Sequence, residues 1–203
     1  LYDVSKRTMK NIVSNIWLLI EKEDFWSTSL LDIIFDNDDM NKKAVFSRYP
    51  IRIEHIPLYT CLRITKIVDE TVENYKKHNS KKEFRIDLEK IIYKMQETVN
   101  ICIQRVAKEG IDEFDKNATL NIRRTLSGLS LYIKNKFEAE EKIIEESWKS
   151  TLKFQFNKDT ETVEVLVDDL KICFNYAYTC ETQMLMTTLK TWNVYEEITR
   201  LSG

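Results

Sequence analysis

The sequence predicts a mainly α-helical protein, either an irregular bundle or a stack of hairpins made from five or six long helices. The first observation behind this prediction is the scarcity of turn residues, since the 203 residues include only three glycines and two prolines. Folds with many strands and tight turns need more of both, because such turns require a positive or a fixed φ. The second observation is that apolar residues recur at spacings of three and four over long stretches, which is typical of amphipathic helices.

Two helices are expected in the first quarter of the chain, at about residues 5–23 and 27–35. Two prolines then bracket the segment 50–57, and residues that precede proline avoid helical geometry. This segment is therefore expected to be an extended connector and a weak internal boundary. We expect residues 1–203 to form a single helical domain that is a piece of a larger chain.

Three long helices are expected in the middle of the chain, at about residues 58–80, 84–109 and 118–147. Each has an apolar stripe at helical spacing, and the third has a strongly acidic outer face. Gly110 supplies a natural end for the second of them, since glycine readily adopts the left-handed conformation that follows a helix.

The pattern changes from helical to alternating at residues 151–167. Apolar residues occupy every second position on both sides of a polar turn: Leu152, Phe154, Phe156, Val163, Val165 and Val167. A period of two indicates strands, so a small β-hairpin is one interpretation. The turn contains no Asn-Gly or Asp-Gly pair, and the competing interpretation is a last helix that starts at Thr162. In either case a final helix is expected from about Asp169 to Leu201.

Charge, hydropathy and cysteine usage indicate a soluble protein inside the cell. The net charge of −2 gives no overall field that would attract nucleic acid or an anionic membrane. No apolar run approaches the roughly 20 residues that span a bilayer, so no membrane partner is expected. The cysteines Cys61, Cys102, Cys173 and Cys180 include no C-x-x-C pair. We expect reduced, mostly buried thiols and a cytoplasmic or nuclear location.

Most catalytic and cofactor-binding motifs are absent from the sequence. It contains no glycine-rich phosphate loop, no G-x-S-x-G turn and no H-E-x-x-H zinc pair. His55 and His78 are the only histidines, and the cysteines are not spaced as zinc ligands. No metal and no cofactor is therefore expected, and the sequence favours a protein without enzymatic activity.

One short segment nevertheless carries residues suited to acid–base chemistry. Arg48 and His55 have six residues between them, and this spacing resembles the R-x(4–6)-H motif of HEPN ribonucleases. The resemblance implies a helical bundle that cleaves RNA at a dimer interface without a metal. His55 would act as acid or base and Arg48 would hold the phosphate. The competing interpretation is an ordinary loop or capping histidine, because Pro50 lies inside the motif where the family has the start of a helix.

A basic stretch follows the first of the three long helices. Its cations are Lys76, Lys77, Lys81 and Lys82, and Tyr75 and Phe84 lie beside them. Basic residues next to aromatic ones can bind a nucleic-acid backbone, so a nucleic-acid-binding helical module is a further hypothesis. A solvated loop between two helices explains the same residues.

The last predicted helix carries more large apolar side chains than one face can bury. The candidate binding residues are Tyr176, Tyr178, Met184, Met186, Trp192 and Tyr195. Tryptophan and tyrosine are favoured anchors at protein interfaces, and methionine surfaces adapt to partners. We therefore expect a protein-binding surface here, and a core filled by the same aromatic residues is the competing interpretation.

These patterns lead to one main hypothesis, a non-enzymatic helical protein–protein interaction domain in a larger scaffold or multi-subunit assembly. Residues 154–170 resemble the hairpin-then-helix passage of dynein heavy-chain tails, which are long helical scaffolds. That resemblance implies a scaffold role and assigns no role to a single residue. The hypothesis requires a protein partner and allows a homo-oligomer, while nucleic acid is the less favoured partner.

Overall fold

The structure is a computed structural model and describes residues 10–11, 13–18, 20–21, 55–111, 113–138, 143–173 and 188–202. These residues form six helices and a three-stranded antiparallel sheet, so the prediction of a mainly helical fold with a small β element is confirmed. The described residues between 10 and 21 belong to helix α1. The other elements are α2 (Ile56–His78), α3 (Lys81–Val106), α4 (Glu113–Glu138), α5 (Ile144–Lys149), β1 (Lys153–Asn157), β2 (Thr162–Val167), β3 (Leu170–Cys173) and α6 (Leu189–Ser202). The predicted helix at 27–35 and most of the connector at 50–57 lie outside the described residues.

Helices α2 and α3 form a hairpin in which only two residues separate them. Asn79 ends α2 in the left-handed conformation with φ of 51°, and its N–H donates to the carbonyl oxygen of Tyr75 at 2.7 Å. Ser80 begins α3, where its hydroxyl oxygen accepts the N–H of Glu83 at 3.3 Å. Because both helix ends are capped within the two-residue connection, the connection is a fixed corner.

Helix α4 lies at the centre of the fold and contacts α2, α3, α5 and α6. Its residues Ile122, Leu126 and Ile133 are almost completely buried. They belong to one continuous apolar core that also includes Ile16 of α1 and Leu62 of α2. Burial of this kind is the main favourable contribution to folding, at about 1.5–3 kcal/mol for each large apolar side chain.

The structure divides the helix that was predicted at 118–147. Helix α4 ends at Glu138, and Ile143 has an extended backbone with φ of −69° and ψ of 127° immediately before α5. Trp148 on α5 is buried in the core, where its ring stacks on Phe137 with 6.1 Å between the ring centroids. Helical periodicity does not reveal such a break, because both pieces keep their own apolar faces.

The β-hairpin predicted at 151–167 is present, with Phe154 opposite Val165 and Phe156 opposite Val163. Its turn does not depend on an Asn-Gly pair. The side-chain oxygen of Asn157 accepts the N–H groups of Asp159 at 3.0 Å and Thr160 at 3.2 Å. An asparagine side chain that replaces a backbone acceptor in this way stabilises a turn by itself.

A third strand, β3, occupies residues that were predicted to start the final helix. Asp168 has a positive φ of 53°, and this tight turn brings Leu170 opposite Val167 and Ile172 opposite Val165. The prediction of a helix from Asp169 is therefore wrong for residues 170–173. Within the described residues the last helix begins at Leu189.

Helix α1 packs on the outside of the hairpin. The ring of Trp17 stacks on Phe156 at 5.4 Å between centroids, and Lys158 pairs with Glu21 at 2.6 Å. Lys10 donates to the carbonyl oxygen of Thr160 at 3.0 Å. Of the helices that the structure describes, none has the length and hydropathy needed to cross a membrane.

Candidate functional site

Only one member of the pair suggested by the HEPN motif lies within the described residues. Arg48 lies outside them, and His55 lies at the N-cap position of α2 with only 6% of its surface exposed. A histidine that exchanges a proton with RNA must reach the scissile phosphate, and a buried side chain does not. Across the described ranges, no group of three His, Cys, Asp or Glu side chains is placed to hold a metal ion.

The basic stretch lies at the corner between α2 and α3. Lys76 donates to Glu73 at 2.5 Å, and this hydrogen bond raises the pKa of Lys76 above its ordinary value. The two aromatic neighbours pack on each other, since the rings of Tyr75 and Phe84 meet edge to face at 5.7 Å and Phe84 is buried. These two rings are therefore used in the core and not as a platform on which bases could stack.

The structure places only two of the predicted protein-binding residues. Tyr176, Tyr178, Met184 and Met186 lie outside the described residues. Trp192 and Tyr195 lie on α6, where Trp192 is 4% exposed and Tyr195 is 44% exposed. Of this pair, Tyr195 is therefore the one whose side chain a partner could contact.

The inner face of α6 packs on α4 and the sheet through Trp192. Its indole ring stacks on Tyr132 of α4 at 5.8 Å and meets Phe154 of β1 edge to face at 6.4 Å between centroids. Aromatic pairs in these arrangements contribute about 0.5–1.5 kcal/mol beyond their buried area. Trp192 thus serves the core of this chain, which is the competing interpretation of the aromatic residues.

A partly buried polar network continues this inner face. We call it the Glu196 network, and its members are Tyr132, Lys136, Ser150, Leu152, Asp168, Glu196 and Arg200. The carboxylate of Glu196 accepts a hydrogen bond from the hydroxyl of Tyr132 and pairs with Lys136 at 2.7 Å and Arg200 at 2.6 Å. The side chain of Glu196 is only 6% exposed, and these three partners satisfy its carboxylate oxygens.

The remaining contacts of the network join α6 to the sheet and to the end of α5. Arg200 pairs with Asp168 at 2.8 Å and donates to the carbonyl oxygen of Ser150 at 3.2 Å. The hydroxyl of Tyr132 also accepts the backbone N–H of Leu152 at 2.8 Å. Burial, together with the hydrogen bond to Glu196, raises the pKa of Tyr132, so its hydroxyl stays protonated and keeps donating. The network therefore fixes the position and rotation of α6.

The outer face of α6 is apolar as well. Val194, Ile198 and Leu201 are 45%, 54% and 82% exposed, and their spacing of four and three residues puts them on one stripe. Tyr195 lies beside this stripe. Trp192 and Glu196 lie on the opposite side of the helix and are buried. We call Val194, Tyr195, Ile198 and Leu201 the outer face of α6.

A surface helix normally has one apolar face and one polar face. A helix with apolar residues on two opposite faces is typical of an element that is covered on both sides. Val194 and Leu201 were not among the predicted binding residues, although their spacing with Ile198 is visible in the sequence. The sequence does not show which face of this helix packs on the core and which face stays exposed.

A second set of perturbed groups lies where α2, α5 and β1 meet. The indole N–H of Trp148 donates to Asp69 at 2.5 Å, and the ammonium of Lys153 lies 5.0 Å from the centroid of the Trp148 ring. Burial raises the pKa of Asp69 and lowers the pKa of Lys153. Shifted pKa values can indicate a catalytic site, but here each group is engaged in a contact that joins two elements.

Two shallow grooves are further candidates for a ligand site. One, of about 470 Å³, lies between α1, α2 and β1 over Trp17 and Phe156. The other, of about 430 Å³, lies between α3 and α4 next to Tyr93. Both are lined by lysines and glutamates of mixed sign, and neither holds a convergent set of like groups that would select a particular ligand.

The two buried thiols among the described residues show no activation for chemistry. Cys61 and Cys102 are buried, and burial raises the pKa of each to about 12. A thiol with such a pKa is almost entirely protonated near neutrality and reacts slowly. Cys173 lies on β3 and is exposed, and Cys180 lies outside the described residues.

Among these features, the outer face of α6 combines exposed apolar surface with a rigid attachment to the rest of the chain. No protein-family model, no curated protein and no solved structure matches this chain.

Proposed function

We propose that this chain is a non-enzymatic helical domain that binds another protein within a larger assembly, and that the outer face of α6 makes the contact. The observation that carries this proposal is the apolar stripe of Val194, Ile198 and Leu201 opposite the buried side of the same helix. Burying apolar side chains away from water is favourable, by about 25 cal/mol for each Å² of apolar surface. A complex with a partner that covers these side chains is stabilised by that amount.

The attachment of α6 supports this proposal. Trp192 and the Glu196 network fix the helix on its inner side, so binding on the outer side does not need to order it first. A surface that is already ordered loses less entropy on association. The partner surface that fits best is a second amphipathic helix, because its own stripe can interdigitate with residues spaced by four and three.

The two alternative functions receive less support. The burial of His55 weighs against the HEPN-like ribonuclease, since this histidine would have to contact RNA. The mutual packing of Tyr75 and Phe84 weighs against a nucleic-acid site at the corner between α2 and α3. No second candidate function is favoured by a contact in the described residues.

The test is affinity capture from a lysate of the source organism, with nuclease present, using three forms of the full chain as bait. The first is the wild type and the second is the double variant Val194→Ser/Ile198→Ser. The third is the control Ile101→Ser/Ile103→Ser, which removes apolar side chains with similar exposure on α3. Thermal unfolding of each bait checks that all three remain folded.

We expect a protein that the wild type and the α3 control capture in stoichiometric amount and that the α6 variant loses. Partners captured equally by all three baits would contradict the assignment to α6. RNA recovered in place of protein when nuclease is omitted would contradict the proposal itself. Cleavage of that RNA, abolished by His55→Ala, would establish the ribonuclease instead.

A further inference from the structure

We propose that the outer face of α6 pairs with the same face of a second copy of this chain, as two antiparallel helices related by a twofold axis. This inference rests on the proposed function, because it names the partner of the same surface. It commits to a second copy for reasons of spacing and charge that are visible on α6 itself.

The spacing of the stripe is that of a coiled-coil seam. A coiled-coil heptad is labelled a to g, and its two core positions are a, the first, and d, the second. On α6, Thr191 and Ile198 fall at the first core position, and Val194 and Leu201 fall at the second. The buried residues Trp192 and Glu196 then fall on the side of the helix away from the seam. The seam and the inner face therefore do not compete for the same residues.

The charges beside the seam determine which pairing is favourable. Lys190 and Glu197 are exposed, and both occupy the flanking position just before the first core position of their heptads. The other flanking positions hold Tyr195 and Ser202, which carry no charge. Flanking side chains form the ion pairs that select the partner and the orientation in such pairs of helices.

In a parallel pair, each flanking charge would lie against an uncharged residue. Lys190 would face Tyr195 of the second copy, and Glu197 would face Ser202 of the second copy. In an antiparallel pair, the equivalent flanking positions of the two helices meet. Lys190 then lies on the same side of the seam as Glu197 of the second copy, and the twofold axis repeats this opposite-charge pair further along that side.

The core of the same antiparallel arrangement is also consistent. Val194 lies opposite Ile198 of the second copy in the two central layers, and Thr191 lies opposite Leu201 of the second copy in the two outer layers. Four layers over two heptads form a small interface. Contacts that bury less than about 1,200 Å² are typical of weak, transient complexes. We therefore expect a dissociation constant of about 10–100 µM.

The experiment is sedimentation velocity of the full chain over a wide concentration range, with wild type, Lys190→Glu, Glu197→Lys and Ile198→Lys. The two charged pairs lie along one side of the seam, and each charge reversal turns both of them into pairs of like charges. We expect association to weaken about tenfold. Ile198→Lys should abolish it. Unfolding curves check that every variant keeps the fold, as their exposed positions allow.

A mixture of the two charge variants is the sharpest measurement. When Lys190→Glu and Glu197→Lys are combined in equal amounts, each chain finds opposite charges on the other, and we expect association to return to the wild-type strength. Recovery in the mixture identifies the antiparallel register, because a parallel pair would respond to none of these changes.

A wild-type chain that stays monomeric up to about 1 mM would overturn the inference. Association that is unchanged in the single charge variants, or that survives Ile198→Lys, would overturn it too. If the chain is monomeric but its captured partner is still lost in Val194→Ser/Ile198→Ser, the second copy is excluded and the proposed function stands. If the dimer forms as described but no other protein depends on α6, the dimer stands and the role in a larger assembly fails.

Discussion

The hydroxyl of Tyr132 joins three elements of the fold, because it donates to Glu196 on α6 and accepts the backbone N–H of Leu152 just before β1. These partners lie 64 and 20 residues further along the chain. One buried hydroxyl therefore links the central helix to the helix that carries the candidate binding surface.

Removing this hydroxyl should destabilise the protein. In Tyr132→Phe the ring still stacks on Trp192, but Leu152 loses its acceptor and Glu196 loses a donor. We expect the free energy of unfolding to fall by about 1–3 kcal/mol, as for other buried groups left without a partner. Urea unfolding measures this loss. The same substitution at Tyr93, which is 68% exposed, is the control and should change stability by less than about 0.5 kcal/mol.

Truncating the acid at the centre of the network should also destabilise the protein. Glu196→Ala removes the partner of Lys136, Arg200 and Tyr132 together. We expect a loss of about 2–3 kcal/mol, while Glu196→Gln keeps an acceptor and loses less. Asn193→Ala, an exposed change on the same helix, is the control for helix propensity. Equal unfolding midpoints for Glu196→Ala and Asn193→Ala would show that the network does not hold α6.

The raised pKa of Asp69 predicts a pH dependence of stability. Burial raises this pKa above its ordinary value, so the folded protein favours the protonated acid. The contribution of Asp69 to the free energy of unfolding is complete below the ordinary pKa of aspartate and is lost as pH rises through the raised pKa. Asp69→Asn cannot ionise but still offers an oxygen to the indole of Trp148. The wild type should therefore lose stability relative to Asp69→Asn as pH increases from 3 towards 7.

Denaturant unfolding of the wild type and of Asp69→Asn at several pH values measures the difference in their free energies of unfolding. The effects of all other carboxylates are common to both proteins and cancel. A difference that is independent of pH, or that moves in favour of the wild type as pH rises, would contradict the assignment of Asp69 as a buried acid.

The hairpin turn contains a residue in an unfavourable backbone conformation. Glu161 has a φ of 52°, which costs roughly 1–2 kcal/mol for a side chain with a Cβ atom and little for glycine. We expect Glu161→Gly to increase the free energy of unfolding by up to about 1 kcal/mol, after the greater entropy of the unfolded glycine is included. Asp159→Gly is the matched control. Asp159 is not among the described residues with positive φ, so glycine there should destabilise the turn.

The helices and the hairpin could be predicted because their signals are local. The apolar stripes of α2 and α3 follow a helical period, and their observed starts at Ile56 and Lys81 lie within three residues of the prediction. Phe154 and Phe156 alternate with polar residues because one side of β1 packs on the core.

The rest depended on contacts between distant residues. Strand β3 was missed because the positive φ of Asp168 has no sequence signature as clear as glycine. The Glu196 network was not predicted, since a glutamate on a helix is usually solvated and its partners Tyr132 and Lys136 lie 60 or more residues away. Trp192 was assigned to an interface because tryptophan suits a core and an interface equally well, and only the packing on Tyr132 separates the two.

The two-residue corner between α2 and α3 also bears on the order in which the chain folds. Contacts across this corner join neighbouring helices and close the shortest loops, so they cost the least entropy and we expect them early. The contacts of α6 with Tyr132 and Lys136 close loops of 60 residues or more and should form late. Loss of Glu196 would then accelerate unfolding and leave the refolding rate almost unchanged. In a cell, the helix that carries the proposed binding face would be the last of the described elements to become ready for a partner.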